Sequence, residues 1–308
     1  MRWLVTAHDA GGAEVVSSWV NHHPEHEYRY LLGEKAEKIF AKKLHADSVQ
    51  TTETRVTQHA LDGIDFVLAG SSWSSDLERQ VIRGARKRGI LSAVYLDHWG
   101  NYRERFGYPA PGWEANLPDC LWCGDEEAKR IAESLDIGIP VKLVPNLYLE
   151  DLAAEYASLM RKHASVLYDY LYVTEPIRDH MALDTGDPMH LGYDEFTALG
   201  YAITIIGASR GPKLMRMLLR THPAERTEKY NEVVRSAADS IAVDVSSGAT
   251  LLEDLARCER VIGCESMAMA IARSLGKRVF TSIPPGGRPC VLPFKDILPI
   301  AQMGRPQA

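Results

Sequence analysis

Residues 213–225 read KLMRMLLRTHPAE, and residues 240–276 read SIAVDVSSGATLLEDLARCERVIGCESMAMAIARSLG. This stretch contains three apolar runs that each end in polar residues, at 218–220, 241–245 and 261–264. A segment with helical spacing follows each run, which is typical of successive βα units. Because the carboxyl ends of parallel strands meet at one edge of a sheet, the stretch predicts a parallel α/β sheet with a ligand crevice at that edge.

The polar residues that follow the three runs are expected to line the crevice: His222, Ser246, Ser247, Glu265 and Ser266. Hydroxyl groups and the backbone N–H groups at helix N-termini bind phosphate, so we predict an anion site. Pro223 has no N–H, but it fixes the turn that directs His222. A structural alternative stays open, in which the serines are helix N-caps and His222 is a turn residue.

Length and composition indicate a globular protein with two α/β domains. The chain has 308 residues, 45% of them hydrophobic and 25% charged, which is ordinary for globular proteins. We place an N-terminal domain at 1–163 and a C-terminal domain at 164–308. The net charge of −6 argues against broad nucleic-acid binding, so we expect no nucleic-acid partner.

The sequence also favours a cytoplasmic location. It has no run of about 18 apolar residues and no signal-peptide layout, so we expect no transmembrane segment, while peripheral membrane contact stays open. Five cysteines, an odd number, fit a reducing compartment. Cys120 and Cys123 form a CxxC pair without a second pair at metal spacing, so we predict neither a metal nor a cofactor.

The first half begins with a predicted strand at 2–7, the loop His8-Asp9-Ala10-Gly11-Gly12 and a predicted helix at 13–20. A strand, a glycine-rich turn and a helix form the entry to a Rossmann-like domain, although GxGxxG is absent. We expect Gly11 and Gly12 to let an acceptor substrate approach the backbone.

Two further strand ends in the first half are rich in polar groups. The strand at 65–69 precedes Ser71 and Ser72, which we assign to acceptor binding, although helix capping by this loop is an alternative. The strand at 91–96 precedes Asp97, His98 and Trp99. An aromatic face stacks on sugars, and a carboxylate or imidazole accepts a proton from a hydroxyl. The alternative is a buried Asp–His pair with aromatic packing.

In the second half a β-prone run at 166–173 ends in Thr174 and Glu175. Gly186 and Pro188 exclude one continuous helix over 177–191. We predict a helix at 193–206, a strand at 277–283 and a closing helix at 294–303.

The second half resembles the donor domain of GT-B glycosyltransferases. The resemblance rests on Arg220-Thr221-His222-Pro223-Ala224-Glu225, on Cys264-Glu265-Ser266-Met267 and on the LGKRVF that follows. Bacterial sialyltransferases, polysialyltransferases and the glycerophosphotransferases of teichoic-acid assembly carry similar His-Pro and serine motifs. The likeness covers 166–283 and is only architectural over 1–160.

This resemblance implies an α/β fold of two Rossmann-like doubly wound domains facing a central cleft. It implies a metal-independent glycosyltransferase of surface polysaccharide biosynthesis, whose donor is a CMP- or UDP-linked sugar and whose acceptor is a glycan or another hydroxyl compound. Two other functions stay open: a nucleotide-sugar 2-epimerase or hydrolase of the same fold, and a non-catalytic nucleotide-sugar-binding protein.

The resemblance also implies residue roles. His222 and Pro223 would contact the nucleotide, and Glu265 its ribose or base. Ser266 and the N–H groups of Met267 and Ala268 would hold the phosphate. Arg220 and four other residues are expected to bind the nucleotide or its phosphate: Thr174, Glu175, Ser246 and Ser247. The acidic base motif of the sialyltransferases has no clear copy, because Asp125-Glu126-Glu127 lacks the glycine. We therefore expect the base to be Asp97, Asp9, His8 or His98.

Overall fold

The computed structural model describes residues 1–44, 59–72, 75–162, 165–208, 214–238 and 240–303. The chain forms two compact units, Met1–Asp151 and Leu152–Ala308. The predicted domain boundary between 163 and 164 lies outside the described residues. Along the chain, the two compact units meet between Asp151 and Leu152, within the helix Leu147–Lys162.

The first unit is built on a six-stranded sheet. Its strands are β1 (Arg2–Ala7), β2 (Glu27–Leu32), β3 (Phe66–Ala69), β4 (Leu91–Leu96), β5 (Cys120–Cys123) and β6 (Val141–Leu143). All of its pairings are parallel, in the order β2-β1-β3-β4-β5-β6. Helices cover a parallel sheet on both faces, which is why β1, β3 and β4 are almost wholly buried.

The helices of this part of the chain are α1 (Ala10–His22), α2 (Glu34–Leu44), α3 (Leu77–Lys87), α4 (Glu126–Ser134) and α5 (Leu147–Lys162), with 3-10 turns at Glu104–Phe106 and Trp113–Asn116. α1 begins three residues before the predicted start, so Gly11 and Gly12 lie in its first turn rather than in a loop. A Cβ atom on Gly12 would lie 2.9 Å from the backbone nitrogen of Ser71. Glycine therefore lets α1 pack directly on the loop after β3.

The second unit has its own six-stranded parallel sheet. Its strands are β7 (Tyr168–Val173), β8 (Arg216–Arg220), β9 (Ala242–Val245), β10 (Cys258–Gly263), β11 (Arg278–Thr281) and β12 (Leu298–Pro299). They lie in the order β12-β11-β10-β7-β8-β9. This is the strand order of a Rossmann domain, in which ligands bind where the order reverses. The reversal lies between β7 and β10.

The helices of the second unit are α6 (Ile177–Thr185), α7 (Glu195–Ala208), α8 (Asn231–Ala237), α9 (Leu251–Arg257) and α10 (Met267–Ser274), with 3-10 turns at Thr227–Tyr230 and Ile300–Gln302. As predicted, no single helix spans 177–191, because α6 ends at Gly186 in the left-handed conformation. The predicted closing helix at 294–303 is wrong. Pro299 lacks the N–H that a helix interior requires, and the short strand β12 and a 3-10 turn form there instead.

The predicted fold class is confirmed: the protein is an α/β chain with two Rossmann-like doubly wound units of the GT-B-like kind. Each sheet packs its buried strands against helices in a separate apolar core, centred on Val5 and Leu68 in the first unit and on Tyr172 and Ile262 in the second. Within the described ranges, no helix is both long enough and apolar enough to cross a bilayer.

Candidate functional site

The carboxyl edge of the second sheet brings three motif residues together. Glu175 follows β7, His222 follows β8, and Ser266 follows β10. The three strands run parallel to one another. β7 lies between β8 and β10, so the ends of those two strands stand about 10 Å apart across the sheet. His222 and Ser266 thus flank β7 on one edge, where the sequence predicted them.

The loop after β10 is held by the side chain of Glu175. Its Oε1 accepts the backbone N–H groups of Cys264 at 3.2 Å and Glu265 at 2.8 Å. Burial raises the pKa of Glu175 to about 7, and the charge of Glu265 contributes to the same shift. The carboxyl group of Glu175 therefore holds the backbone of the loop after β10. Because its Oε1 already accepts two N–H groups of that loop, the geometry favours this structural role over the expected direct contact with the ligand.

Ser266 is the N-cap of α10. Its Oγ accepts the backbone N–H of Ala268 at 3.2 Å, which places the hydroxyl, Met267 and Ala268 at the positive end of the helix dipole. The capping alternative is therefore correct for Ser266. The cap leaves the hydroxyl proton available as a donor, so the phosphate contact predicted here is chemically compatible with it.

The backbone and ring of His222 are both anchored. Its backbone N–H donates to Thr174 Oγ1 at 2.9 Å, and its Nδ1 accepts the backbone N–H of Ala224 at 3.1 Å. Thr174 in turn donates to Glu225 Oε2. Thr174 is buried and serves this anchor, while Pro223 is exposed at the turn.

Glu225 accepts hydrogen bonds from Thr174 and from the backbone N–H of His222, and it was not among the predicted site residues. Its Oε1 accepts Lys229 Nζ at 2.8 Å and the Tyr230 hydroxyl at 2.7 Å. Burial favours the neutral acid, but the hydrogen bonds from Lys229, Thr174 and Tyr230 outweigh it and lower the pKa of Glu225. Glu225 lies three residues after His222, across one tight turn. This spacing is the sequence signal that could have indicated a contact between the two residues.

Arg220 and Ser246 serve a different role from the one predicted. Arg220 Nη1 donates to Asp254 Oδ2 at 2.7 Å and to the carbonyl oxygen of Ala249 at 2.8 Å, and Ser246 Oγ donates to the same Asp254 oxygen at 2.6 Å. Asp254 is fully buried. A buried carboxylate needs these partners, so both residues hold α9 to the sheet rather than face a phosphate.

Ser247 is not a helix cap. The N-cap of α9 is Thr250, which forms a capping box with Glu253. Ser247 instead lines, with Gly248 and Arg257, a cavity of about 480 Å³ beside α9. Its predicted phosphate contact stays a prediction.

Glu265 is bound by Arg288, a residue that no sequence motif singled out. Arg288 Nη2 donates to Glu265 Oε1 at 2.5 Å, and the backbone N–H of Val291 donates to Oε2 at 3.4 Å. Arg288 lies 23 positions after Glu265 along the chain, so no local spacing predicted the pair. With both oxygens engaged, Glu265 is less suited to the ribose contact that the resemblance implied.

In the first unit, Asp97 is engaged inside the protein. Its Oδ1 accepts Arg105 Nη1 at 2.8 Å and the Ser71 hydroxyl at 2.6 Å. Its Oδ2 lies 2.0 Å from the position that a Cβ on Gly11 would take. Asp97, Gly11 and Ser71 therefore contact one another, while the base role of Asp97 and the acceptor contacts of Gly11 and Ser71 stay predictions.

His98 and Trp99 follow the alternative of a buried cluster. Burial lowers the pKa of His98, and Arg105 acts in the same direction. Trp99 is 7% exposed, and its Nε1 donates to Asp125 Oδ2 at 2.8 Å, where Asp125 is the N-cap of α4. Trp99 is therefore a packing residue and not a platform for a sugar.

His8 and Asp9 lie at the end of β1 with partly exposed side chains, 34% and 26%. His8 Nδ1 and Asp9 Oδ1 are 2.9 Å apart, and Ser72 Oγ donates to Asp9 Oδ2 at 3.0 Å. Ser72 itself is buried. Of the four predicted bases, this pair is the one that combines a proton acceptor with access from solvent.

Glu78, in the first turn of α3, contacts the backbone of His8, and no sequence pattern singled it out. It is 3% exposed, and its Oε1 accepts the backbone N–H of His8 at 2.7 Å. Burial raises the pKa of Glu78 to about 7. This carboxyl group fixes the turn that carries His8 and Asp9.

Comparison with protein-family models found no match, and neither did comparison with curated proteins. Solved structures do match. The UDP-GlcNAc 2-epimerase of Methanocaldococcus jannaschii, in complex with UDP-GlcNAc and UDP, is 14% identical with a TM-score of 0.58, and the match covers 91% of this chain and 83% of that one. S. aureus MnaA, in a structure with UDP, is 11% identical with a TM-score of 0.59, covering 91% and 79%.

A third match, Acinetobacter baumannii MurG, is 9% identical with a TM-score of 0.45, covering 87% of this chain and 73% of that one. Its score is too low to carry an argument. At these identities the first two likenesses establish the fold and not the activity. The chain thus has the α/β fold of two Rossmann-like units that its own strand orders show, and this fold is similar to that of the two solved structures.

Proposed function

We propose that this chain binds a nucleotide-activated sugar, specifically a UDP-linked sugar, at the carboxyl edge of the second sheet. The observation that carries the proposal is the placement of His222 and of the Ser266 cap on the two strands that flank β7 at the point where the strand order reverses. An imidazole, a hydroxyl and the N-terminus of α10 are groups that bind phosphate. UDP is favoured because the similar solved structures contain it.

The proposed reaction is transfer of the sugar to a hydroxyl group of a glycan or another acceptor, without a metal. The oxygen of that hydroxyl forms a bond to C1 of the sugar, and its proton passes to a base, a role for which Asp9 beside His8 stays a prediction. The bond from C1 to the phosphate oxygen breaks, and the electron pair leaves with UDP. His222, Ser266 and the N-terminus of α10 stabilise the charge that develops on the departing phosphate.

A second candidate is epimerisation at C2 of the sugar, or hydrolysis of the donor. The observation that favours it is the likeness, with a TM-score of 0.58, to a solved structure that is by name a UDP-GlcNAc 2-epimerase. Epimerisation and hydrolysis require no acceptor, whereas transfer does.

Incubation of the protein with UDP-GlcNAc and other UDP-sugars, with and without hydroxyl acceptors, separates these reactions. For transfer we expect UDP release only when an acceptor is present. UDP release without an acceptor would indicate hydrolysis, and inversion at C2 seen by proton NMR would indicate epimerisation.

His222→Ala is the matched variant for this assay. We expect turnover to fall by about 10²-fold or more, as for a lost oxyanion donor. Unchanged turnover in the variant would remove His222 from the mechanism. Donor binding without turnover for every acceptor would instead favour a binding protein.

A further inference from the structure

We propose that Arg288 binds the phosphate groups of the nucleotide and is the cation of this site. The inference rests on the proposed function and adds a residue to it. Arg288 lies in the segment Pro-Pro-Gly-Gly-Arg-Pro that follows β11, and its side chain is 47% exposed.

The position of Arg288 is fixed relative to α10. Its backbone N–H donates to the carbonyl oxygen of Leu191 at 2.8 Å, which ties the segment to the turn before α7. Its guanidinium reaches Glu265 at 2.5 Å, and Glu265 directly precedes the N-cap Ser266. The positive charge of Arg288 is thereby held beside the helix N-terminus where we place the phosphate.

The charges around this loop require a cation if a phosphate is to bind there. Glu175 and Glu265 both lie at the loop after β10, and two carboxyl groups oppose an anion. Arg220, the arginine that the sequence favoured, is held by the buried Asp254. A guanidinium stays protonated and presents five N–H donors, so one hydrogen bond to Glu265 leaves donors for a phosphate.

Tyr193 adds an independent observation. It is fully buried, and its hydroxyl has no hydrogen-bond partner among the described residues. The ring of Tyr193 lies against the loop residues Cys264 and Gly287: Tyr193 and Cys264 share one apolar cluster, and a Cβ on Gly287 would lie 2.7 Å from Tyr193 Cδ1. A buried hydroxyl normally has a hydrogen-bond partner. An oxygen atom of a bound ligand could be the partner of the Tyr193 hydroxyl beside this loop.

Isothermal titration of UDP and of uridine into the wild type and into Arg288→Gln tests the inference. We expect the variant to bind UDP about 10- to 100-fold more weakly, because a hydrogen bond to a charged group is lost, and to bind uridine as the wild type does. The matched control is Arg273→Gln. Arg273 also pairs with a carboxylate, Asp296 at 2.6 Å, but lies in the last turn of α10, about 10 Å from its start.

A second variant changes affinity in the opposite direction and guards against a folding defect in the first. Glu265→Gln removes a negative charge and frees the guanidinium, so we expect several-fold tighter UDP binding. Suppose that the wild type binds UDP. If Arg288→Gln then binds UDP equally well, or if Glu265→Gln binds it more weakly, the inference about Arg288 is overturned while the proposed function stands. If the wild type binds no nucleotide, the proposed function fails and this inference fails with it.

Discussion

The Nδ1 atom of His222 accepts a hydrogen bond from the backbone N–H of Ala224, with 3.1 Å between the two nitrogens. A ring nitrogen that accepts a hydrogen bond carries no hydrogen, so the neutral ring holds its hydrogen on Nε2. The turn therefore makes His222 a hydrogen-bond donor through Nε2. A neutral donor suits a phosphate oxygen and does not require a low pH.

This tautomer predicts different effects for two substitutions at His222. Glutamine carries its amide nitrogen two bonds beyond Cγ, close to the place of Nε2, whereas the asparagine amide reaches only the place of Nδ1. We expect His222→Gln to retain UDP affinity within several-fold and His222→Asn to lose about 10-fold or more, measured by isothermal titration. The reverse ranking would show that Nδ1 is the nitrogen that contacts the ligand.

The two helix caps of the second unit provide a matched pair of variants. Ser266→Ala and Thr250→Ala each remove a side-chain cap and should each destabilise the protein by about 1 kcal/mol in urea unfolding. Only Ser266→Ala should also weaken UDP binding, by about 10-fold. Equal UDP affinity of the two variants would reduce Ser266 to a structural cap.

The Arg220–Asp254 pair should be a major source of stability. Asp254 is fully buried and accepts hydrogen bonds from both Arg220 and Ser246, so Arg220→Ala leaves a buried carboxylate without its cation. We expect a loss of about 3–5 kcal/mol in the free energy of unfolding. The control Asp296→Ala breaks an exposed pair with Arg273 and should cost less than about 1 kcal/mol. Similar losses in both variants would contradict the assignment.

Glu78 predicts a pH dependence of stability. Its pKa is raised from 4.5 to about 7 by burial, so the folded protein keeps this proton over a range where the unfolded chain has lost it. The contribution is fully present below about pH 4.5 and is lost as the pH rises through about 7.

We therefore expect the wild type to lose on the order of 2–3 kcal/mol relative to Glu78→Gln between pH 5 and pH 8. Urea unfolding at several pH values measures this difference, with Glu126→Gln at an exposed position of α4 as the control. Parallel pH profiles of the wild type and Glu78→Gln would show that Glu78 titrates normally.

Local sequence pattern was enough to predict the strands that precede the site, although not β12, and the edge at which they end. An apolar run that stops at a polar residue marks where a buried strand leaves the sheet, which is why His222 and Ser266 were placed correctly. The cap at Ser266 was also foreseen, because a serine before an apolar helical segment is a local signal.

The partners of the charged residues could not be predicted in this way. Asp97 meets Arg105, Arg220 meets Asp254, and Glu265 meets Arg288. The last two pairs join segments that are brought together only by the folded sheet, and the first depends on the irregular loop after β4. Spacing along the chain carries no information about such contacts, so these three pairings could not be foreseen.

The central claim is that a nucleotide phosphate binds at the carboxyl edge of the second sheet, and a crystal structure of the complex with UDP tests it most directly. We predict phosphate oxygens within about 3 Å of Ser266 Oγ and of the backbone nitrogen of Met267, with the His222 and Arg288 side chains in contact with the same group. A pyrophosphate bound beside His8 and Asp9 of the first unit, or anywhere away from the start of α10, would contradict the claim.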